Sequence, residues 1–448
     1  MNAVFLARLQ FGLTAGFHFL FPPTTLGLSL LVVIVEALYL KTRDEAYKRL
    51  SIYLVRILGT VFVMGVATGI ALEFAFGNNW AAYARTVGDI FGAPLAAEAV
   101  FSFFLESVFL GILVFGRNRV SERTYALSAF LVFLGSHLSG LWIIIANSWM
   151  QTPAGFRFEG GRAVLESFWG AAFNPSTVIR FSHTILGGWM TGALAAMAVA
   201  AWLILKGRSR DEAPAARLMK PALIVFAAAA VLQLGSGHAH SMQVWRTQPE
   251  KMAAYEALWR TMDGAPFTVF GIPDEKNEQT LLAVRVPKML SLLTQLKPNA
   301  RVAGLDGFPK EERPPVLVPF AGYHLMILFG LIFIGMGLAG LRLVRRKKLL
   351  TSRRFLKLLI VAVPLPYLAN EAGWVAAEVG RQPWAVFRLL RTSAAVSGAV
   401  PAGNILFSII VFTAIYALIA VAGLTVILRT VRSGPGHPLV QGPEGDRT

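Results

Sequence analysis

The chain has no cysteine. That absence removes disulfides, iron–sulfur ligation, c-type haem attachment and a thiolate copper centre together, so any redox centre has to rest on histidine, methionine or carboxylate. Charge is scarce as well: 15% of the 448 residues are charged against 55% hydrophobic. Acidic residues are the scarcer sign, 25 against 42 basic, for a net charge of +17. No internal repeat stands out, which argues against a transporter built on two-fold pseudo-symmetry.

What is abundant is long apolar sequence. Runs of about 20 apolar residues, bounded by charges or turn residues, are long enough to cross a hydrocarbon layer of roughly 30 Å. They predict an all-α integral membrane protein with nine transmembrane helices, near residues 12–39, 52–76, 93–115, 125–147, 177–205, 218–237, 316–341, 356–379 and 403–428. The first run lacks a short basic n-region and a small-residue cleavage site, so it is expected to stay in the mature protein.

The positive charge sits in every second connection: "KTRDEAYKR", "GRNRVSER", "KGRSR", "RLVRRKK" with "SRR", and "RTVR" follow the first, third, fifth, seventh and ninth spans. By the positive-inside rule these connections and the C-terminus are cytoplasmic and the N-terminus lies outside. The basic excess thus reads as membrane topology, and no nucleic-acid partner is expected. The organisation that follows is helices 1–6 over residues 1–237, an outer loop over 238–315, helices 7–9 over 316–430, and a disordered cytoplasmic tail over 431–448.

The seven histidines are His18, His137, His183, His238, His240, His324 and His437. A haem–copper oxidase needs more intramembrane histidines, including an adjacent pair, and a quinol-oxidising cytochrome b needs spaced pairs on single helices. Neither pattern is present. At 1.5 Å of rise per residue, His18, His183, Met326 and Glu378 all fall in the outer half of their spans. Each alone is more often a packed, hydrogen-bonded core group than a ligand, but potential iron ligands at one level make a layer suited to haems. The third span carries Glu98, Ser102 and Glu106 at four-residue intervals, a polar track on an apolar helix. Carboxylates avoid such depth unless paired or functional, and no cation lies between these two. A proton-coupled transporter would use the same residue types.

Five stretches carry a specific resemblance: "ARLQFGLTAGFHFLFPPTTLG" (7–27), "GVATGIALEFAFGNNW" (65–80), "VGDIFGAPLAAEAVFSFFLES" (87–107), "GSHLSGLWIIIANSWMQTP" (135–153) and "EAGWVAAEVGRQPW" (371–384). In this order they resemble subunit I of the cytochrome bd-type quinol oxidases, of the kind with a short quinol loop. The resemblance implies a haem-containing catalytic subunit of a terminal respiratory oxidase in the bacterial cytoplasmic membrane, oxidising quinol outside and reducing O₂ to water with cytoplasmic protons, without a pump. It implies three haems: a low-spin haem b held by His183 and Met326, a high-spin haem b, and a third that is haem d or another b, with His18 and Glu378 each holding one high-spin haem.

The same resemblance makes Glu98 and Glu106, with Ser139 near them, a proton path, while Glu73 reads either as a charge partner or as an interfacial residue. Lys251 and Glu256, in "QPEKMAAYEALW", match the quinol loop. Arg381 is implied as partner of Glu378 or of a haem propionate, with an interfacial anchor as the alternative. Trp374 and Glu371 complete that wall of the haem layer. One departure stands out: His324 occupies the place of the family's usual arginine, two residues before Met326, where it serves the propionates or competes as ligand. His238 and His240 carry no assignment. The expected partners are oxidase subunit II and a small single-helix subunit.

Overall fold

The computed structural model describes residues 2–436. Among these, nine helices are long and apolar enough to cross a membrane, numbered here as spans 1 to 9: Ala3–Thr42, Glu45–Asn78, Ala81–Phe115, Glu122–Gln151, Thr177–Lys206, Ser209–Thr247, Leu317–Arg345, Arg353–Val379 and Ala402–Ser433. Helices satisfy every backbone polar group internally, which lipid demands. Side-chain caps open three of them: Asn2, Asp44 and Ser121 accept from the N–H groups of Val4, Ala46 and Thr124.

Three spans are interrupted, each near proline. Span 1 consists of Ala3–Phe19 and Pro22–Thr42, the second part starting on a proline, which lacks the N–H a helix interior requires. Span 8 breaks between Arg353–Val361 and Pro364–Val379 for the same reason. In span 3, Pro94 lies inside the helix, and the backbone then widens into a π-helical turn over Glu98–Phe103 before the α-helix resumes at Phe104. Such wide turns re-aim side chains and recur at functional sites.

The main core gathers Leu31, Leu58, Leu194, Leu223, Phe226 and Phe333 from spans 1, 2, 5, 6 and 7. Small residues allow close crossings there. A Cβ at Gly27 would lie 2.6 Å from the Gly188 carbonyl oxygen, so spans 1 and 5 meet backbone to backbone.

The connections after spans 4, 6 and 8 collect on one side. The Lys251 ammonium donates to Gln151, Arg388 pairs with Glu250 at 3.2 Å, and the Phe387 N–H donates to the Met150 carbonyl. The opposite side carries ion pairs among the basic connections, including a buried Arg117–Glu36 pair at 2.6 Å and Arg217–Asp44 at 2.8 Å.

Several boundaries differ from the sequence expectation. Span 1 begins at Ala3 and span 3 at Ala81, because amphipathic turns before the apolar runs continue the helices. Span 6 runs on to Thr247, so His238 and His240 are helical rather than the start of the loop, and the connection begins at Gln248. Residues 152–176 form a second substantial connection, with a hairpin of Phe156–Glu159 and Arg162–Leu165 and a helix at Phe168–Ala172. Alternation over four residues was too short to reveal that hairpin. The expected disordered tail is helical through Ser433, and its residues 437–448, His437 included, lie outside the described residues.

Candidate functional site

A cavity of about 1130 Å³ opens among spans 1, 2, 3, 4, 5 and 8. That exceeds the usual 300–1,000 Å³ of a small-ligand site. Its walls are mostly apolar, and the sequence-predicted residues His18, Glu98, Glu106, Ser139, Glu371, Trp374, Glu378 and Arg381 all line it, as does Glu73. His183, Met326, His324, Lys251 and Glu256 do not.

His18 reaches this space from the last turn of Ala3–Phe19, just before the proline break. Its Nδ1 lies 3.0 Å from the Thr68 hydroxyl, whose own hydrogen is directed at the Met64 and Gly65 carbonyls. The imidazole therefore donates from Nδ1 and keeps the Nε2 lone pair free, the state a metal ligand needs.

Glu378, near the end of span 8, is held on all sides. Arg381 donates to its Oε2 at 2.6 Å, Asn147 and Gln151 donate to Oε1 at 3.1 Å each, and a nitrogen of Arg180 stands 3.7 Å away. Arg180 also donates to Asn147. Two guanidiniums thus serve one carboxylate, yet Nε and one terminal nitrogen of Arg381, and Nε of Arg180, are buried without partners. Buried donors left unpaired cost free energy, so donors aimed at a cavity suit an anionic group inside it. Trp374 lies edge-on to Phe19 at 5.2 Å and under Arg180 at 5.5 Å. Glu371 has one buried oxygen without a partner and lies against Gly16.

The polar track of span 3 faces span 4. Ser139 donates to Glu98 at 2.8 Å, Ser102 is fully buried with a free hydroxyl, and Glu106 is buried against Gly135. The π-helical turn keeps Glu98 and Glu106 on one cavity wall.

A second cluster lies between spans 5, 6, 7 and 8. His183 Nδ1 is 3.0 Å from the Ser236 hydroxyl, which donates to the Gln233 carbonyl, so the ring donates from Nδ1, while its Nε2 accepts from the Gln233 side-chain amide at 3.1 Å. Glycines flank both candidate ligands: a Cβ at Gly237 would stand 3.3 Å from the His183 ring, and one at Gly373 only 2.8 Å from the Met326 sulfur. His324 is turned elsewhere. Its two ring nitrogens face the backbone carbonyls of Phe320 and Thr268, and it packs against Phe267 and Phe320.

In the span 6–7 connection, Lys251 and Glu256 are both 1% exposed. Lys251 donates to Gln151 at 2.6 Å and to Gln248 at 3.0 Å. Burial, reinforced by Arg180 and Arg381, pushes its ammonium well below the ordinary lysine value. Glu256 accepts from the Thr268 N–H at 2.9 Å through one oxygen, while the other is buried and unpaired. Burial raises its carboxyl to about 8, against the lowering effect of that one bond. Gln151 therefore joins two groups: its carbonyl accepts a hydrogen bond from Lys251 and its amide donates to Glu378.

Arg180, Asn147 and Gln151 are site residues that the sequence does not single out, although each stands on a helix that carries a candidate. Asn147 and Gln151 are one helical turn apart in "NSWMQTP", and Arg180 is three residues before His183, but helical spacing within spans 4 and 5 does not bring them to Glu378 on span 8.

The profile of the cytochrome bd terminal oxidase subunit I family matches residues 6–435. Cytochrome bd ubiquinol oxidase subunit 1 of Bacillus subtilis (strain 168) is 39% identical, covering 98% of this chain and 95% of the relative. Cytochrome bd-II ubiquinol oxidase subunit 1 of Escherichia coli (strain K12) is 34% identical, with 97% of each covered. The solved structure of bd oxidase from Geobacillus thermodenitrificans superposes with a TM-score of 0.90 at 28% identity, covering 96% of this chain and 98% of that one. Members of this family are haem-containing subunits of multi-subunit oxidases. With its sequence matched almost end to end and its nine apolar helices in place, the chain belongs to the cytochrome bd terminal oxidase subunit I family and is a multi-pass oxidoreductase subunit of the bacterial inner membrane.

Proposed function

We propose that this chain oxidises membrane quinol through Lys251 and Glu256 and houses, in the cavity behind them, the site where O₂ is reduced to water. The observation that carries the reading is that cavity, which combines a histidine with a free Nε2, a carboxylate and buried guanidinium donors without partners. Haem bound there and at the second cluster supplies electron transfer, and oxygen chemistry wherever iron keeps an open position.

The residues present fit such groups. His18 and Glu378 would be the single protein ligands of the two high-spin haems, one haem b and one haem d or further haem b. His183 and Met326 would be the paired ligands of low-spin haem b, and the glycines beside them leave room for the imidazole and the sulfur themselves. Met326 is preferred to His324 because both nitrogens of His324 already face carbonyl oxygens. Arg381 and Arg180, which flank Glu378, would also hold anionic propionates through their unpartnered nitrogens, with Trp374 packing beside them and Glu371 completing the wall.

Quinol gives up two electrons and two protons. Lys251 orients a quinone oxygen, and Glu256, raised toward neutral pH, exchanges a proton with the substrate hydroxyl. Two quinols supply the four electrons that one O₂ needs to become two waters. The four protons consumed arrive through Glu106, Ser102 and Glu98, with Ser139 holding Glu98 in place. With the N-terminus outside and the basic connections cytoplasmic, quinol protons are released outside and consumed protons come from inside. Charge then separates by location alone, without a pump. Oxidase subunit II and a small single-helix subunit complete the complex. Family membership leaves the proton-coupled transporter reading without support.

The test is a reduced-minus-oxidised spectrum of the purified complex together with haem extraction. Bands for three haems are expected, and an absence of haem refutes the proposal. For the second cluster, Met326→Leu should remove the low-spin signal and His324→Ala should keep it; the reverse result overturns the ligand choice.

A further inference from the structure

We infer that the hairpin formed by Phe267–Asp274 and Gln279–Val286 is a membrane-interface element whose outer face rests in the phospholipid headgroup and acyl boundary of its leaflet. Cross-strand partners share a face. The register pairs Phe270 with Val284 and Ile272 with Leu281, with a shift between the two pairs; Phe270 and Ile272, two apart on the first strand, share a face, and all four are exposed, Phe270 at 56% and Val284 at 57%. A contiguous apolar patch on the open side of a soluble loop is unfavourable in water and calls for an occupant.

Two contacts fix where that face lies. At the tip, the Glu275 carboxylate accepts from the N–H groups of Val316 and Leu317 at 2.8 and 3.1 Å, the mouth of span 7. At the base, the Thr268 carbonyl meets the His324 ring. His324 lies seven residues beyond Leu317, about 10 Å further along the helix at 1.5 Å per residue. The hairpin therefore runs beside the first two turns of span 7 with its charged tip outward and its base inward. Span 7 has 29 residues, about 43 Å, and so exceeds a hydrocarbon layer of roughly 30 Å by about 13 Å. Arg342 to Arg345 at the far end take about 6 Å of that excess, and the remaining turn or more, beside the hairpin, lies at headgroup depth.

The same helix continues the apolar surface outward and inward through exposed Leu317, Val318, Leu325 and Leu328. Arg285 and Lys288 are exposed on or just after the second strand, where anionic headgroups would meet them. An amphipathic element with apolar and basic groups lies in the interface in this way. This placement does not rest on the haem or quinol assignments. It has a consequence for them, because Thr268 in the first strand also binds Glu256, so the leaflet steadies the loop that carries Glu256.

The absence of native cysteine in this chain allows a direct test. Phe270→Cys, and separately Val284→Cys in case one variant fails to assemble, are labelled with an environment-sensitive fluorophore in the whole complex in phospholipid nanodiscs. Lys276→Cys at the tip serves as the aqueous reference, Leu325→Cys as the lipid reference, and the unsubstituted complex gives the background. Quenching by nitroxide-labelled phospholipid should come within about two-fold of Leu325 and at least about three-fold above Lys276, with iodide quenching reduced correspondingly. Iodide quenching equal to that at Lys276 means the face meets water and overturns the inference. Protection from both quenchers means another protein surface covers it, and overturns the inference equally.

Discussion

Replacing Gln151 with leucine should uncouple the quinol loop from the cavity. The amide is buried and does two things at once, accepting from the Lys251 ammonium at 2.6 Å and donating to Glu378 at 3.1 Å. Leucine has similar bulk and neither function. Lys251 keeps Gln248 as its remaining acceptor, and Glu378 keeps Asn147 and Arg381. Leaving a buried donor short of an acceptor costs roughly 1–3 kcal/mol, and with one acceptor remaining the lower end applies. About 1.4 kcal/mol is tenfold in an equilibrium constant, so KM for quinol should rise by about five- to tenfold through a misplaced lysine. Gln151→Glu separates the two roles. It still offers Lys251 an oxygen but sets a carboxylate against Glu378, so it should shift the high-spin haem bands and change KM less than leucine does. Steady-state quinol titration and reduced-minus-oxidised spectra read both effects. Wild-type KM and wild-type spectra in both variants would refute the coupling.

Gly373→Ala should displace the Met326 sulfur, since the added Cβ would lie 2.8 Å from it; loss or broadening of the low-spin band checks this, and an unchanged band speaks against Met326. Glu106→Gln should slow oxygen uptake while leaving haem content intact, because the residue is placed on the proton path and not at iron; oxygen-electrode turnover and pigment extraction separate the two. Arg381→Lys keeps one charge but loses the two guanidinium nitrogens that stand unpartnered at the cavity, so haem retention should fall even where the complex assembles. Glu256 has a carboxyl raised to about 8 in the folded protein. Its neutral form is the one burial favours, so its contribution to stability is complete below the ordinary carboxylate value, declines as pH rises, and is gone above about 8. Thermal midpoints of the complex at about pH 6 and about pH 9 should therefore differ less in Glu256→Gln than in the unsubstituted protein, and equal differences would count against the burial argument.

The spans were legible because lipid imposes a simple rule, about 20 apolar residues per crossing, and the sequence obeys it nine times. What hydropathy hides is helix that continues past the apolar run. The stretch "GHAHSMQVWRT" reads as polar loop, but span 6 carries it as helix to Thr247, which puts His240 beside His183 at 5.7 Å between ring centres. The cavity wall was legible in a different way. Glu371, Trp374, Glu378 and Arg381 share a stripe by helical spacing, and the structure lines the cavity with all four. Their partners were not legible, because Arg180, Asn147 and Gln151 come from spans 4 and 5 and only tertiary packing brings them to Glu378.

His324 shows where sequence reasoning by position alone stops. Standing where a related chain has arginine invites a role toward the same anionic group, and two residues' distance from Met326 invites a role at iron. Helix geometry argues otherwise. Positions two apart on an α-helix point to different faces, so a residue at 324 faces away from whatever Met326 faces unless its side chain is long enough to reach back. Arginine has that reach, while imidazole ends close to its own backbone. The structure uses the short side chain to pin the Thr268 carbonyl of the hairpin to span 7. His324→Ala should consequently loosen the loop that carries Glu256 while sparing Met326, giving a raised KM for quinol with an intact low-spin band. His324→Arg should fail to restore the loop contact, because a guanidinium donates readily but its length carries it past a carbonyl that now lies against the helix. If His324→Ala instead abolishes the low-spin band at unchanged KM, the side chain serves the haem and the fastening role is wrong.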